Sequence, residues 1–232
     1  VVVGEVLAAL EDGSIPERRE KAASYFPSGM VVLGVPVPAQ RAVLRRVARA
    51  FRSRGPDEVL AFARELLAAG VHEARQVAFE FVAGRADVMA TLRGADVEAL
   101  GQGNDNWASV DCFGVYLAGP AWRIGAVSDA RVLRWTRSAD RWWRRTALVA
   151  TVALNVKSRG GTGDVDRTLA VCEALVDDRD PMVAKALSWS LRSLAGVDAA
   201  AVECFLAAHG DAVGAPVRRE VGNKLRTGLK RG

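Results

Sequence analysis

Four segments of this chain begin alike. Arg75-Gln-Val-Ala-Phe, Arg145-Thr-Ala-Leu-Val, Lys185-Ala-Leu-Ser-Trp and Arg219-Glu-Val-Gly-Asn each place a cation at the head of an apolar helical pattern. They are separated by 70, 40 and 34 residues, which is two steps and then single steps of about 35. A unit of that length holds two helices and cannot bury its apolar faces alone, so neighbouring units must stack. The pattern therefore predicts an all-α fold, a right-handed HEAT-like solenoid of stacked antiparallel helix pairs. Equivalent positions would line up on one concave, basic face, with residues 1–232 forming one domain.

Punctuation along the chain agrees. Ser14-Ile15-Pro16-Glu17 reads as a capping box with proline in the first turn. Pro38 opens the run Ala39 to Arg52, Gly55-Pro56-Asp57 separates it from Glu58 to Ala69, and Pro120, Gly160-Gly161 and Pro181 mark later breaks. Between breaks the apolar residues recur at three and four, as in Val59, Phe62, Ala63, Leu66 and Leu67. About eleven or twelve helices and no sheet are expected. Met30 to Val37 alone resembles a strand, and its glycine and prolines make it a buried extended connector.

Composition removes several classes of function. Half of the 232 residues are apolar and a quarter are charged, as in an ordinary folded domain. Cys112, Cys172 and Cys204 have no metal-type spacing and lie among apolar residues, so they read as reduced core thiols. The two histidines, His72 and His209, stand apart, which argues against a zinc site or a histidine-based nucleophilic triad. No run approaches the ~20 apolar residues of a membrane span. Val1-Val2-Val3 lacks the basic-then-apolar pattern of a signal peptide, and the missing initiator Met leads us to expect a trimmed chain. The expectation is a cytoplasmic protein without metal or organic cofactor. The net charge of +5 fits an anionic partner.

The charge is concentrated. Residues 131–159 hold Arg131, Arg134, Arg137, Arg141, Arg144, Arg145, Lys157 and Arg159 against Asp140 alone, with Trp135, Trp142 and Trp143 interleaved. Such a run is either a solvated face with snorkelling stems or a surface that tracks phosphates. The near absence of acid favours the second. Upstream, Asn106-Trp107-Ala108-Ser109-Val110-Asp111 stacks Trp107 and Asp111 one helical turn apart. Asp111 lies among Val110, Cys112, Phe113, Val115 and Tyr116, where an acid needs a reason. Trp189 sits between Lys185 and Arg192 at helical spacing. Both tryptophans could be ordinary packing. Read together, a carboxylate beside indoles on a basic surface suits a cationic, sugar-like species carried by a polyanion, that is, glycosidic chemistry on DNA.

Three segments, in this order, resemble the AlkD-type HEAT-repeat DNA glycosylases of alkylation repair: Trp107-x-x-Val-Asp111, Trp142-Trp-Arg-Arg-Thr-Ala-Leu148 and Lys185-Ala-Leu-Ser-Trp-Ser-Leu-Arg192. Gly34-Val-Pro36 and Gly228-Leu-Lys230 are similar too, so the resemblance spans nearly the whole chain. It implies that Asp111, Trp107 and Trp189 form the catalytic cleft and that Arg145 and Arg192 contact phosphates. Lys185, Arg141 and Lys157 complete the expected DNA-binding set. Ala108 departs from the acid expected of many relatives, while Trp107 and Asp111 stay in register. The implied substrate is double-stranded DNA containing alkylated bases, and the implied activity is monofunctional release of cationic N3- or N7-alkylpurines. No lysine is spaced beside Asp111 for a lyase step. A bacterial, nucleoid-associated monomer is expected. The alternatives are a non-catalytic HEAT-repeat module binding structured DNA or RNA, and a protein scaffold. The Trp–Asp pairing argues against the first, and the tryptophan-studded basic run argues against the second.

Overall fold

The computed structural model describes residues 1–210 and 212–230. Two compact units divide it, Val1–Leu117 and Ala118–Gly232. The first contains α1 (Val3–Asp12), α2 (Pro16–Tyr25), α3 (Val37–Ala50), α4 (Pro56–Ala68), α5 (His72–Ala83), α6 (Ala86–Thr91), α7 (Gly94–Gly101) and α8 (Trp107–Phe113). A π-helical stretch, Gly114–Ala118, carries the chain across the division. The second contains α9 (Gly119–Arg123), α10 (Asp129–Trp135), α11 (Arg141–Asn155), α12 (Val165–Ala174), α13 (Pro181–Leu194), α14 (Ala199–Ala208) and α15 (Ala215–Thr227). Among the described residues there is no strand. Val31 and Val71 form one isolated parallel bridge.

The fold is all-α, and within each unit helices pack in the alternating manner of stacked antiparallel pairs. In the first unit α1 packs on α3, α4 and α5, and α3, α4, α6 and α8 all pack on α5. In the second, α9, α11, α13 and α15 form a row, with α10, α12 and α14 behind it. More helices are present than the periodicity predicts, because α6 and α9 span only six and five residues. Segments that short hold less than two turns of pattern.

Core contacts follow the predicted faces. Val59, Phe62, Ala63 and Leu66 of α4 are buried, and Phe62 joins Phe51 and Phe81 in an aromatic cluster. Phe79 meets Phe113 at 5.1 Å, tying α5 to α8. Helix α11 is the spine of its unit, buried from Arg145 through Asn155. Asp140, Asp164, Asp180 and Asp198 cap α11, α12, α13 and α14 in turn, each accepting from a backbone N–H of its helix's first turn. The single acid of the basic run is thus a helix cap.

Two local expectations change, and the connector between α2 and α3 is as expected. Pro16 is the first residue of α2, but Ser14 does not cap it; its hydroxyl donates to the carbonyl of Leu33 and pins the connector instead. That connector is extended and buried at Leu33–Val35. It is held by Glu73, 2% exposed, whose carboxylate accepts the backbone N–H groups of Leu33, Gly34 and Val35 at 3.0, 2.7 and 3.2 Å. Gly34 has φ +76°, and a Cβ there would lie 2.5 Å from the backbone nitrogen of Arg19, so only glycine fits. Of the cysteines, Cys112 and Cys172 are buried, but Cys204 is exposed. It falls on the outward side of an alanine-rich helix whose apolar residues run nearly all round.

Candidate nucleic-acid interface

Helix α8 opens on a well-made cap. Asn106 accepts from the Ser109 N–H at 2.9 Å and donates to the Ser28 hydroxyl at 3.2 Å and to Asp105 at 3.1 Å. Trp107 is the first helical residue. Its indole N–H donates to the Tyr25 carbonyl at 3.4 Å, and its ring meets Tyr25 and Phe26 edge-on at 5.1 and 5.9 Å. Tyr25 is 65% exposed, so this aromatic corner opens to solvent. Asp111 stands one turn further on, half-buried between buried Val110 and Cys112. The π-helical stretch begins three residues later, a local widening often found at functional positions.

The segment 25–30 behind Trp107 is itself clamped. Asp105 accepts from the Ser28 hydroxyl at 2.6 Å and from the Gly29 N–H. Burial raises the affinity of Asp105 for a proton, but these hydrogen bonds outweigh it and hold the carboxyl below its ordinary range. Phe26 rests on His72 at 4.9 Å. His72, 4% exposed, meets the Gln76 amide at 3.0 Å; burial foremost keeps its pKa low. Sequence reasoning missed this buttress, because Ser28 and Asp105 are 77 residues apart.

In the second unit a pocket of ≈ 720 Å³ is lined by Asn155, Lys157, Trp189, Arg192, Lys224 and Lys230, among others. Among the described residues no carboxylate belongs to its lining. Trp189 is half-buried and Lys157 exposed. Asn155 is fixed from behind: its amide donates to the Thr151 carbonyl at 3.0 Å and the Thr168 hydroxyl at 2.8 Å, and its carbonyl accepts from the Asp164 N–H at 3.0 Å. Trp189, Arg192 and Lys157 were expected at a site. Lys224 and Lys230 were not: nothing local marks Lys224, and Gly228-Leu-Lys230 entered only as part of the family resemblance, with no role for its lysine.

The other expected cations divide. Lys185 is exposed on α13. Arg141 is exposed, stacks over Trp142 at 4.8 Å and approaches Asp180 at 3.5 Å. Arg144 is tied to Asp178 at 2.7 Å. Arg145 is 5% exposed and donates to the Met182 carbonyl, bracing α11 against the first turn of α13. Arg75 behaves likewise in the first unit, donating to the Gln102 carbonyl at 2.7 Å and to Asn104 at 3.3 Å. In both, the cation heading the sequence repeat fastens one helix to the approach of the next in its row. The 131–159 run is therefore not a uniformly open cationic face. Trp135 is buried against Trp143 at 5.3 Å, so those indoles are packing. Among the described residues no group of three or more His, Cys, Asp or Glu is placed to hold a metal ion, and no helix is long and apolar enough to cross a membrane.

A family model described as DNA alkylation repair enzyme matches residues 6–225. The chain belongs to that family. The structure of a protein described as a predicted DNA alkylation repair enzyme from Enterococcus faecalis superposes with a TM-score of 0.71, covering 92% of this chain and 97% of its own at 18% identity. At that identity the likeness is one of fold. No curated protein matches the chain. As a member of the alkylation repair family, the protein has a role in repairing alkylated DNA.

Proposed function

We propose that the protein is a monofunctional DNA glycosylase that excises positively charged N3- and N7-alkylpurines from duplex DNA and leaves an abasic site. The observation that carries this reading is Trp189 set among Lys157, Arg192, Lys224 and Lys230, in a pocket without an acid on its lining. It offers an aromatic face to a sugar and cations to the phosphates on either side. Family membership supplies the class of damage. The match across residues 6–225 supports treating both units as one repair domain.

The chemistry suits a single carboxylate. Ordinary glycosidases need a second one, as an acid, because their leaving group is neutral and must be protonated. A purine alkylated at N3 or N7 already carries positive charge. Its C1′–N bond breaks with the electron pair going to the base, which departs neutral. Water adds its oxygen to C1′, and its surplus proton passes to the carboxylate or to solvent. Asp111 stabilises the oxocarbenium-like sugar electrostatically and orients the water. The faces of Trp107 and Trp189 contribute cation–π attraction of roughly 0.5–2 kcal/mol each. Lys157, Lys185, Arg192 and Arg141 hold backbone phosphates, and Arg145 supports that set from within α11. The deciding experiment is release of free base from duplex DNA carrying 7-alkylguanine, with undamaged duplex as control. Binding of both duplexes without base release points to the non-catalytic module instead.

A further inference from the structure

The pocket holds a feature that phosphate binding by itself does not explain. Glu220, on α15, lies just behind the lining. One carboxylate oxygen accepts the Ser188 hydroxyl at 2.6 Å and faces the Arg192 guanidinium at 3.9 Å; the other faces the Lys230 ammonium at 3.4 Å. The Arg192 Nε also donates to the Ser188 Oγ at 3.2 Å. Two cations of the pocket thus converge on the two oxygens of one anion, with a hydroxyl completing the set. The neighbouring cation, Lys224, donates to the carbonyl of Gly228 at 2.6 Å. Lys157, across the pocket, has no ion-pair partner among the described residues.

A tetrahedral phosphate presents the same pattern as a carboxylate: two anionic oxygens able to take a guanidinium N–H and an ammonium together. Arg192 is mostly shielded from water, with 16% of its side chain exposed, whereas Lys230 stands at the mouth with 46% exposed. A pair so arranged costs more to leave uncompensated than an exposed one. An internal anion keeps Arg192 charged and correctly aimed until a ligand arrives.

We propose that Arg192, Lys230 and Lys224 form a phosphate subsite occupied in the free protein by the carboxylate of Glu220, which an incoming phosphate displaces. This rests on the reading of the protein as one that acts on DNA, where the phosphate is a backbone diester. Displacement makes Glu220 a brake on indiscriminate binding. Each undamaged phosphate must compete with a tethered anion, and only a duplex engaged along more of the surface does so effectively.

The test compares wild type with Glu220→Gln, which keeps an oxygen for Ser188 and removes the charge. Binding of undamaged duplex is measured against salt concentration. Glu220→Gln is expected to bind roughly three- to tenfold more tightly at low salt, with a log–log slope steeper by about 0.9, for the one phosphate the subsite holds. Glu220→Gln/Lys230→Ala, which restores the wild-type net charge, should return most of that gain. Thermal stabilisation by inorganic phosphate provides a second readout on the same folded proteins, and phosphate should stabilise Glu220→Gln more than wild type. If duplex binds but Glu220→Gln changes neither affinity nor slope, the subsite is refuted and the proposed function stands. If no form binds duplex while phosphate still stabilises Glu220→Gln preferentially, the subsite stands and the reading on DNA falls. Equal phosphate response in both forms also refutes the subsite.

Discussion

Asp105 reaches back across 77 residues to take the hydroxyl of Ser28 at 2.6 Å, and in doing so it sets the wall against which Trp107 leans. The same carboxylate accepts from Asn106, the cap of the helix that carries Trp107 and Asp111. The placement of the indole is therefore decided by an acid two residues upstream of it. Asp105→Asn should leave the helices intact and loosen the 25–30 segment. We expect a loss of about 1–3 kcal/mol in stability, a changed Trp107 fluorescence, and base excision that is weakened but not abolished. Unchanged fluorescence with full activity would remove Asp105 from this role. Because the folded carboxyl titrates below its ordinary value, its stabilisation is present above the unfolded pKa and is lost as pH falls through the folded one.

Asp111→Asn preserves shape and removes charge. Excision of 7-alkylguanine should fall about a hundred- to a thousandfold, the usual consequence of losing one electrostatic group at a reacting centre. Duplex affinity should persist. Wild-type rates in this variant would show that the carboxylate is not catalytic.

Leaving-group charge provides a separate check. Neutral lesions such as hypoxanthine, uracil or 1,N6-ethenoadenine need protonation or a base-specific pocket to depart. A duplex panel differing only in the lesion should therefore give free base from cationic purines alone.

The cations of the second unit should separate into two kinds. Lys157→Ala and Arg192→Ala are expected to weaken binding to every duplex and to flatten the salt slope by about 0.9 each. Arg145→Ala instead removes a buried donor from the Met182 carbonyl. Its first effect should be a loss of about 1–3 kcal/mol of stability, read as a lower melting temperature. A salt slope changed by Arg145→Ala without any loss of stability would contradict that assignment.

His72 is held neutral chiefly by burial, with its pKa below the ordinary 6.5. A depressed pKa means that the unfolded chain takes up a proton first as pH falls. The stability it confers is complete above pH 6.5 and declines from there down through the folded pKa. Melting temperatures between pH 7 and 5 should therefore drop more steeply in wild type than in His72→Gln. Parallel profiles would assign the acid sensitivity elsewhere.

Much of the helix architecture could be read from the sequence, because its period reports burial directly. The head cations marked the repeat correctly, but a period does not say which way a side chain turns, and Arg75 and Arg145 turn inward. The partners of the basic run were also within reach. Arg144 and Asp178 are 34 residues apart and Arg141 and Asp180 are 39 apart, each close to one repeat. Looking one repeat ahead for acids would have found them. The Trp107 buttress could not be found so, since its span matches no repeat. Lys224 joins Trp189 through the packing of α13 on α15, which leaves no local motif, and Lys230 follows just beyond that helix.

The polar seam behind Trp189 bears on how the pocket spends its conformational freedom. Thr151 and Ser190 share a hydrogen bond at 2.6 Å, Cys172 lies 3.2 Å from the same Ser190, and Asn155 links α11 to Thr168 of α12. Three helices are thereby locked in one register, with the Cys172 thiol pushed up to about 12 by burial and so chemically silent. In native-state hydrogen exchange, amides along this seam should be among the last to open. The pocket thus has a floor that needs no ordering and a rim of long lysines that does, so the entropy lost when a ligand enters falls almost wholly on Lys157, Lys224 and Lys230.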